Sequence, residues 1–395
     1  MVTFLCLVLL LLVVGCSSNT SSNTSKGTAR TNAAGDPDIL TIVVPTDPAT
    51  MDPAMNTYFA AHQVSRHIYE TLFRLDSKFN LLSMLAKEWH YMDDVTIEIK
   101  LQEGVKFHNG DPLTPEDVLF SLKRSYDDGT AGYANVVAID FDNCKIIDDT
   151  TFTIVTKEPT ANQLALLSNA FTGIFSKSDF KAKNGNFFQN IAGTGPYILD
   201  SYVEGDHYTL ASYDGYWDNS IAGRIKKLNF RVITEGANRA IESETGGADI
   251  VYDITANDKE RIKSATNLQY LYAYSANSNY VCLNTAKPPL DDIRVRQAIM
   301  YGIDRKTVEE MAYKGMGKLP NTFFNEDIIG SADISNQLLG RDVEKAKHLL
   351  AEAGYSNGLT IEFAAESNQP MRMDVAEAVQ AQLADIGVTV KLNFM

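Results

Sequence analysis

The chain has 395 residues, 45% of them hydrophobic and 22% charged, and its formal net charge is −15. That composition is globular, and the length exceeds one ordinary core, which predicts two or three domains. A balance this acidic argues against nucleic acid or an anionic membrane face as a partner.

At the N-terminus, Leu5 to Val14 form an almost unbroken apolar run. It is too short to span a bilayer as a helix and has the length of a signal-peptide core. No Lys or Arg precedes it, although signal peptides carry a basic start, so the true start is expected upstream or is misassigned. Ser17–Gly35 is rich in Ser, Thr, Asn and Gly and cannot pack a core. The run Val13-Val14-Gly15-Cys16 resembles the lipobox of bacterial lipoproteins, where the signal is cut before a cysteine that then takes a lipid. The resemblance implies a signal peptide over 1–15, lipidation at Cys16, a flexible tether over 16–37, and a lipid anchor in the membrane. Cys144 and Cys282 remain, far apart and at no metal or redox spacing, and read as two separate thiols that an exported chain can still oxidise.

The body of the chain mixes strands and helices without an internal repeat. Ile39–Val44 is β-branched and ends at Pro45 and Pro48, and Thr57 to Leu72 shows a helical apolar face. Val95–Leu101 alternates as a strand. Thr114-Pro115-Glu116-Asp117 then supplies an N-cap hydroxyl, a proline at the first helical position and first-turn acids. Thr151–Thr156, Tyr197–Tyr202, Tyr208–Ser212 and Lys227–Val232 read as strands, the middle two joined by a turn at Gly205-Asp206. Helices are expected over Asp292–Gly302, Arg305–Tyr313 and from Asp342 to Ala353, with Gly354 as the stop. Leu359–Ala364, Met371–Ile386 and Val388–Phe394 form a β-α-β unit whose strands should be parallel. The last strand calls for another neighbour, so a chain cut short at Met395 is expected.

Several segments together resemble the family 5 extracellular solute-binding proteins, which include oligopeptide-, dipeptide- and nickel-binding proteins. They are Met51-Asp52-Pro53-Ala54, Ile68-Tyr69-Glu70-Thr71-Leu72, Leu85-Ala86-Lys87-Glu88-Trp89, and the long block from Leu101 through Lys106-Phe107-His108-Asn109-Gly110 to Val118. Gly193-Thr194-Gly195-Pro196-Tyr197, Tyr213-Asp214-Gly215-Tyr216-Trp217, Arg294-Val295-Arg296-Gln297-Ala298-Ile299 and Ala346 to Tyr355 follow in family order. The resemblance implies an α/β, two-lobed periplasmic-binding-protein-like clamshell (type II) with an additional domain inserted in the N-terminal lobe. The expected division is a sheet domain over 38–67 and 191–288, the inserted domain over 68–190, and a C-terminal lobe, incomplete, over 289–395. The missing part should complete that lobe and, in oligopeptide binders, carries the aspartate that grips the peptide α-amino group. The implied role is oligopeptide capture for the permease of an ABC importer, at the extracytoplasmic face, by a monomer. The same role for a nickel chelate, glutathione or a sugar is the alternative.

By position, Thr46 and Asp47 lie where the family places a ligand-contacting loop, against the plainer reading of Asp47 as a helix cap. Tyr133 sits where oligopeptide binders place a contacting tyrosine, against a surface-loop aromatic. Gly193 and Thr194 fall at the return crossover between domains, where glycine permits close backbone approach or positive φ. Tyr280 and Asn284 alternate with Cys282 along a strand expected to enter the second lobe, one face toward the cleft. Lys287-Pro288-Pro289-Leu290-Asp291-Asp292, which follows, resembles peptide binders. No cofactor is expected. Gly193–Ile198 lacks the third glycine of a dinucleotide loop, and Gly317-Lys318 lacks the flanking residues of a phosphate loop. No nucleophile elbow or zinc-binding His-Glu-x-x-His occurs, the histidines are scattered, and a peptidase is the remote alternative.

Overall fold

The computed structural model describes residues 37–55, 59–220, 225–274, 278–320, 322, 331–335, 340–367 and 370–395. Cys16 and the segment read as a signal peptide lie outside the described residues, as does all but the end of the tether. Among the described residues, no helix is long and apolar enough to cross a membrane.

Thirteen strands are described: β1 Ile39–Val44, β2 Phe73–Leu75, β3 Leu81–Ser83, β4 Ala86–Tyr91, β5 Thr96–Leu101, β6 Lys145–Ile146, β7 Thr151–Val155, β8 Tyr197–Val203, β9 His207–Ser212, β10 Lys227–Val232, β11 Ile250–Val251, β12 Leu359–Ala365 and β13 Val388–Phe394. A five-stranded sheet runs β11-β1-β10-β9-β8 and a four-stranded antiparallel sheet runs β4-β5-β7-β6. β1 pairs parallel with β10 and β11, while β8, β9 and β10 form antiparallel neighbours. The β8–β9 turn comes where expected, with Gly205 at φ 72°.

Three apolar cores account for the sequence patterns. In β5, Ile97, Ile99 and Leu101 turn inward against Phe152 and Ile154, while Thr96, Glu98 and Lys100 face out. That alternation is the half-buried strand pattern. A second core joins Ile42 and Val44 of β1 to Val64 and Ile68 of the helix Phe59–Ile68 and to Tyr208, Leu210 and Phe230. A third packs Val295 and Ile299, Leu350, Val379 and Leu383 against Leu359, Val388 and Val390 of the parallel β12–β13 pair.

The helix Pro115–Asp127 starts as read. The Thr114 side chain and Asp117 form a reciprocal capping box, with Pro115 at the first helical position. Two expectations need correction. The first helix ends at Ile68 rather than Leu72, because Tyr69, Glu70 and Leu72 are buried where the chain leaves the second core for the first. The alternating stretch from Tyr280 to Asn284 does not form a strand, and Tyr280 is 63% exposed.

The chain passes from the second core to the first after Ile68 and comes back through Gly193 and Gly195, and the two passes touch backbone to backbone. The Gly195 N–H donates to the Ile68 carbonyl at 2.9 Å. A Cβ on Gly193 would lie 2.0 Å from the Ile68 oxygen, and one on Gly195 would lie 2.4 Å from the His67 oxygen. Both obstacles are backbone, which cannot rotate away. Gly193→Ala and Gly195→Ala should each lose more than about 4 kcal/mol in urea unfolding or fail to fold. Gly205→Ala, strained by its φ yet with open space around it, should lose only about 1–2 kcal/mol. Equal losses at all three positions would refute the steric account.

Candidate ligand-binding site

The loop after β1 is pinned at both ends. The Asp47 carboxylate accepts the Tyr202 hydroxyl at 2.8 Å, the Gly205 N–H at 2.5 Å and the Ala49 N–H at 3.1 Å. It therefore clamps the tip of the β8–β9 hairpin instead of capping the helix behind it. Burial, then the Asp47 hydrogen bond, push the Tyr202 hydroxyl pKa well above its usual value. Thr46 is half-buried beside it. Ala49 sits at φ 44°, the left-handed region in which a non-glycine residue is held by its surroundings. Five residues after Asp47, Asp52 accepts the Arg124 guanidinium through both oxygens, and its Oδ1 also accepts the Ala54 N–H at 3.0 Å.

Tyr133, 38% exposed, opens the short helix Tyr133–Val136, and its ring packs on Tyr126 with the centroids 5.5 Å apart. The residue before it, Gly132, donates its N–H to the Ala54 carbonyl at 3.0 Å, which ties this loop to the end of the 47–54 segment.

Gly193 and Thr194 belong to the crossing. The His108 N–H donates to the Gly193 carbonyl at 2.9 Å, the Gly193 N–H donates back to His108 Nδ1 at 3.3 Å, and His108 Nε2 lies 2.8 Å from the Gly195 carbonyl. That arrangement fixes the neutral imidazole with its proton on Nε2. Next to it, the buried Glu70 carboxylate accepts the Tyr216 hydroxyl at 2.6 Å and the Trp217 indole N–H at 2.9 Å. Burial raises its pKa, and those two hydrogen bonds only partly offset the rise. The Thr194 hydroxyl is fully buried without a well-formed hydrogen bond, yet its dipole also favours the Glu70 anion.

Tyr280 and Asn284 are both exposed; the Asn284 side chain accepts the Ala286 N–H at 3.1 Å and so shapes a local turn. Thus the structure ties the Thr46–Asp47 loop to the Tyr133 loop through Asp52 and Ala54, places Gly193 and Thr194 in the joint, and leaves Tyr280 and Asn284 outside both. Sequence reading missed Asp52, Glu70, His108 and Arg124. The first three lie inside the resemblance blocks, and for Asp52 and Glu70 a carboxylate among mostly apolar neighbours was the available signal. A groove of ≈ 300 Å³ on the outer face of the four-stranded sheet is lined by Glu88, His90, Glu98, Lys100, Asp148 and Thr151, and none of the candidate residues lines it.

Residues 80–395 match the profile of the bacterial extracellular solute-binding proteins, family 5 Middle. The chain belongs to this family. It is a solute-binding protein, and its fold is the two-lobed mixed α/β clamshell of the family's periplasmic binding proteins. The glutathione-binding protein GsiB of Escherichia coli (strain K12) is 26% identical over 347 residues, 88% of this chain and 67% of that relative. The periplasmic binding protein DppA of Helicobacter pylori, solved with the peptide STSA, is 25% identical with a TM-score of 0.80, over 90% of this chain and 73% of that one. The dipeptide-binding protein of Pseudoalteromonas sp. SM9913, solved with Met-Leu, superposes with a TM-score of 0.82 at 23% identity, over 90% of this chain and 76% of that one.

His108 carries a pH consequence. Burial lowers its pKa from 6.5 to about 4, against a smaller raising effect of the Gly195 carbonyl. The unfolded chain therefore binds more protons between those values, so this contribution is complete above pH 6.5 and is lost as pH falls toward 4. The full loss is about 3 kcal/mol. His62 and His67, also lowered by burial, add in the same direction, whereas the raised Glu70 acts oppositely. Urea midpoints measured from pH 7.5 to 4 should fall steeply in the parent and less steeply in His108→Gln; parallel curves would remove His108 as the cause.

Proposed function

We propose that this solute-binding protein captures oligopeptides between its two lobes and delivers them to the permease of an ABC importer. The sheet region of 38–67 and 191–288 with the inserted region of 68–190 forms one lobe, and 289–395 contributes to the other. The observation that carries the reading is the family match, together with peptide-bound relatives that share the fold over 90% of this chain. The geometry agrees with it. Loop 45–50 and the Tyr133 loop come from different segments and are held by a shared set of hydrogen bonds, as a site for an extended backbone requires. No covalent step is invoked, so the protein binds and releases without turnover. On the same reading it acts as a monomer at the extracytoplasmic face, anchored by a lipid on Cys16. Incorporation of labelled palmitate that persists in Cys16→Ser would remove that anchor.

A second reading is favoured by the relatives that are glutathione-binding proteins. Glutathione is itself a tripeptide with a γ-linkage, so the two readings differ in which amide the site accepts. Native mass spectrometry of the protein purified from its host should show co-purified peptides, and thermal-shift assays should rise by several degrees with a tri- to pentapeptide library. A shift with glutathione alone would decide for the second reading. Clean apo spectra and no shift with either would sink both.

A further inference from the structure

We propose that the Arg124–Asp52 ion pair is the positioning element that sets the two candidate ligand loops, 45–50 and 130–134, in register with each other. The inference rests on the peptide-binding reading for its functional consequence, though not for its geometry. Arg124 projects from the helix Pro115–Asp127, which also carries the chain toward Tyr133. Its side chain and that of Asp52 are 10% and 12% exposed. The guanidinium makes a two-pronged contact with the carboxylate, Nη1 to Oδ1 at 3.1 Å and Nη2 to Oδ2, while Nε reaches Asp128 at 3.3 Å.

The cation is also walled in. The rings of Phe175, Phe180 and Phe187 stand 5.6, 5.3 and 5.2 Å from its central carbon. A planar guanidinium fills that slot and meets a carboxylate with two parallel bonds, whereas a lysine ammonium would satisfy one bond and leave the slot partly empty.

From this fixed point two short routes lead to the loops. Asp52 holds the Ala54 N–H, and the Ala54 carbonyl receives the Gly132 N–H, one residue before Tyr133. In the other direction, Thr50 Oγ1 accepts the Asp52 N–H at 3.1 Å, and the chain reaches Asp47 through the positive-φ Ala49. Asp47 is anchored separately on Tyr202 and Gly205. The segment 47–54 is therefore a strut: one end is fixed to the five-stranded sheet, the other to the helix beside Tyr133. Among the described residues Arg124 forms its side-chain hydrogen bonds with Asp52 and Asp128 and none with either candidate loop, so it acts through Asp52, which makes it a positioning residue.

The test uses the whole protein and the variants Arg124→Lys, Arg124→Met and Asp52→Asn, with hydrogen exchange at single-residue resolution and calorimetric titration with trialanine. Asp52→Asn is nearly isosteric and stands in should Arg124→Met fold poorly. The expected result is faster exchange at the Gly132 and Ala54 amides, by tenfold or more in Arg124→Met and Asp52→Asn and less in Arg124→Lys. Core amides of β5 and β10 should be unchanged. Trialanine affinity should fall at least tenfold in parallel, and this fall should vanish when Tyr133 is already Ala. Exchange that is unchanged at Gly132, or that rises equally in the cores, overturns the proposal. A parent protein that binds no trialanine counts against the peptide reading, and the exchange data still decide the positioning role.

Discussion

The crossing of the chain at Ile68 and Gly193–Gly195 is the constraint on which the rest of the molecule's first half depends. Two main chains in contact leave no volume for a Cβ, so both positions must be glycine. The close approach then covers the end of the helix Phe59–Ile68, whose Ile68 carbonyl would otherwise be an unsatisfied acceptor, and the Gly195 N–H satisfies it. The same approach brings His108, Glu70, Tyr213, Tyr216 and Trp217 into one contact zone between two apolar cores. Two connections a backbone width apart also resist rotation of one core against the other, which a single linker would permit.

The buried polar groups of this region differ in kind. Asp52 and Arg124 are a charge pair, and removing one partner from such a pair costs about 3–5 kcal/mol because the other is left buried alone. Replacing both with well-packed apolar residues is often neutral, so the pair argues for a defined arrangement more than for stability. Among the described residues Glu70 forms no ion pair; two neutral donors and the Thr194 dipole favour its anion, and burial raises its pKa against them. Exposed pairs such as Lys123–Asp127, each side chain about half exposed, contribute no more than about 0.5 kcal/mol. What orders the joint is therefore a few buried contacts, and the many surface ion pairs add little.

Much of the architecture was legible because it is written in local patterns. The alternation of β5, the capping box of Thr114 and Asp117, and the parallel pairing of β12 with β13 each follow from a few neighbouring residues. The candidate site was less legible because its partners are remote in sequence. Asp47 reads as a polar turn until Tyr202, 155 residues later, donates to it. Asp52, only one residue of a resemblance block in the sequence, gains its role when Arg124 arrives from 72 residues away. The stretch from Tyr280 to Asn284 failed in the opposite sense: alternation is necessary for a half-buried strand but does not by itself supply a ladder, and these residues lie outside the strands.

These contacts also bear on how such a site would recognise a peptide. A carboxylate that already accepts three hydrogen bonds has little capacity for a ligand's amino group, so on the peptide reading Asp47 acts by shaping its loop. Contact would then fall to Thr46 and to main-chain groups of the loop, and to the exposed Tyr133 of the loop tied to Ala54. Main-chain recognition of an extended backbone is indifferent to side-chain identity, and a ring covers apolar surface without demanding a particular partner. Breadth toward the guest and rigidity of the host are then two sides of one arrangement. A loop can accept varied sequences only if its own position does not vary with them, and the strut from Asp47 to Ala54 provides that fixed position.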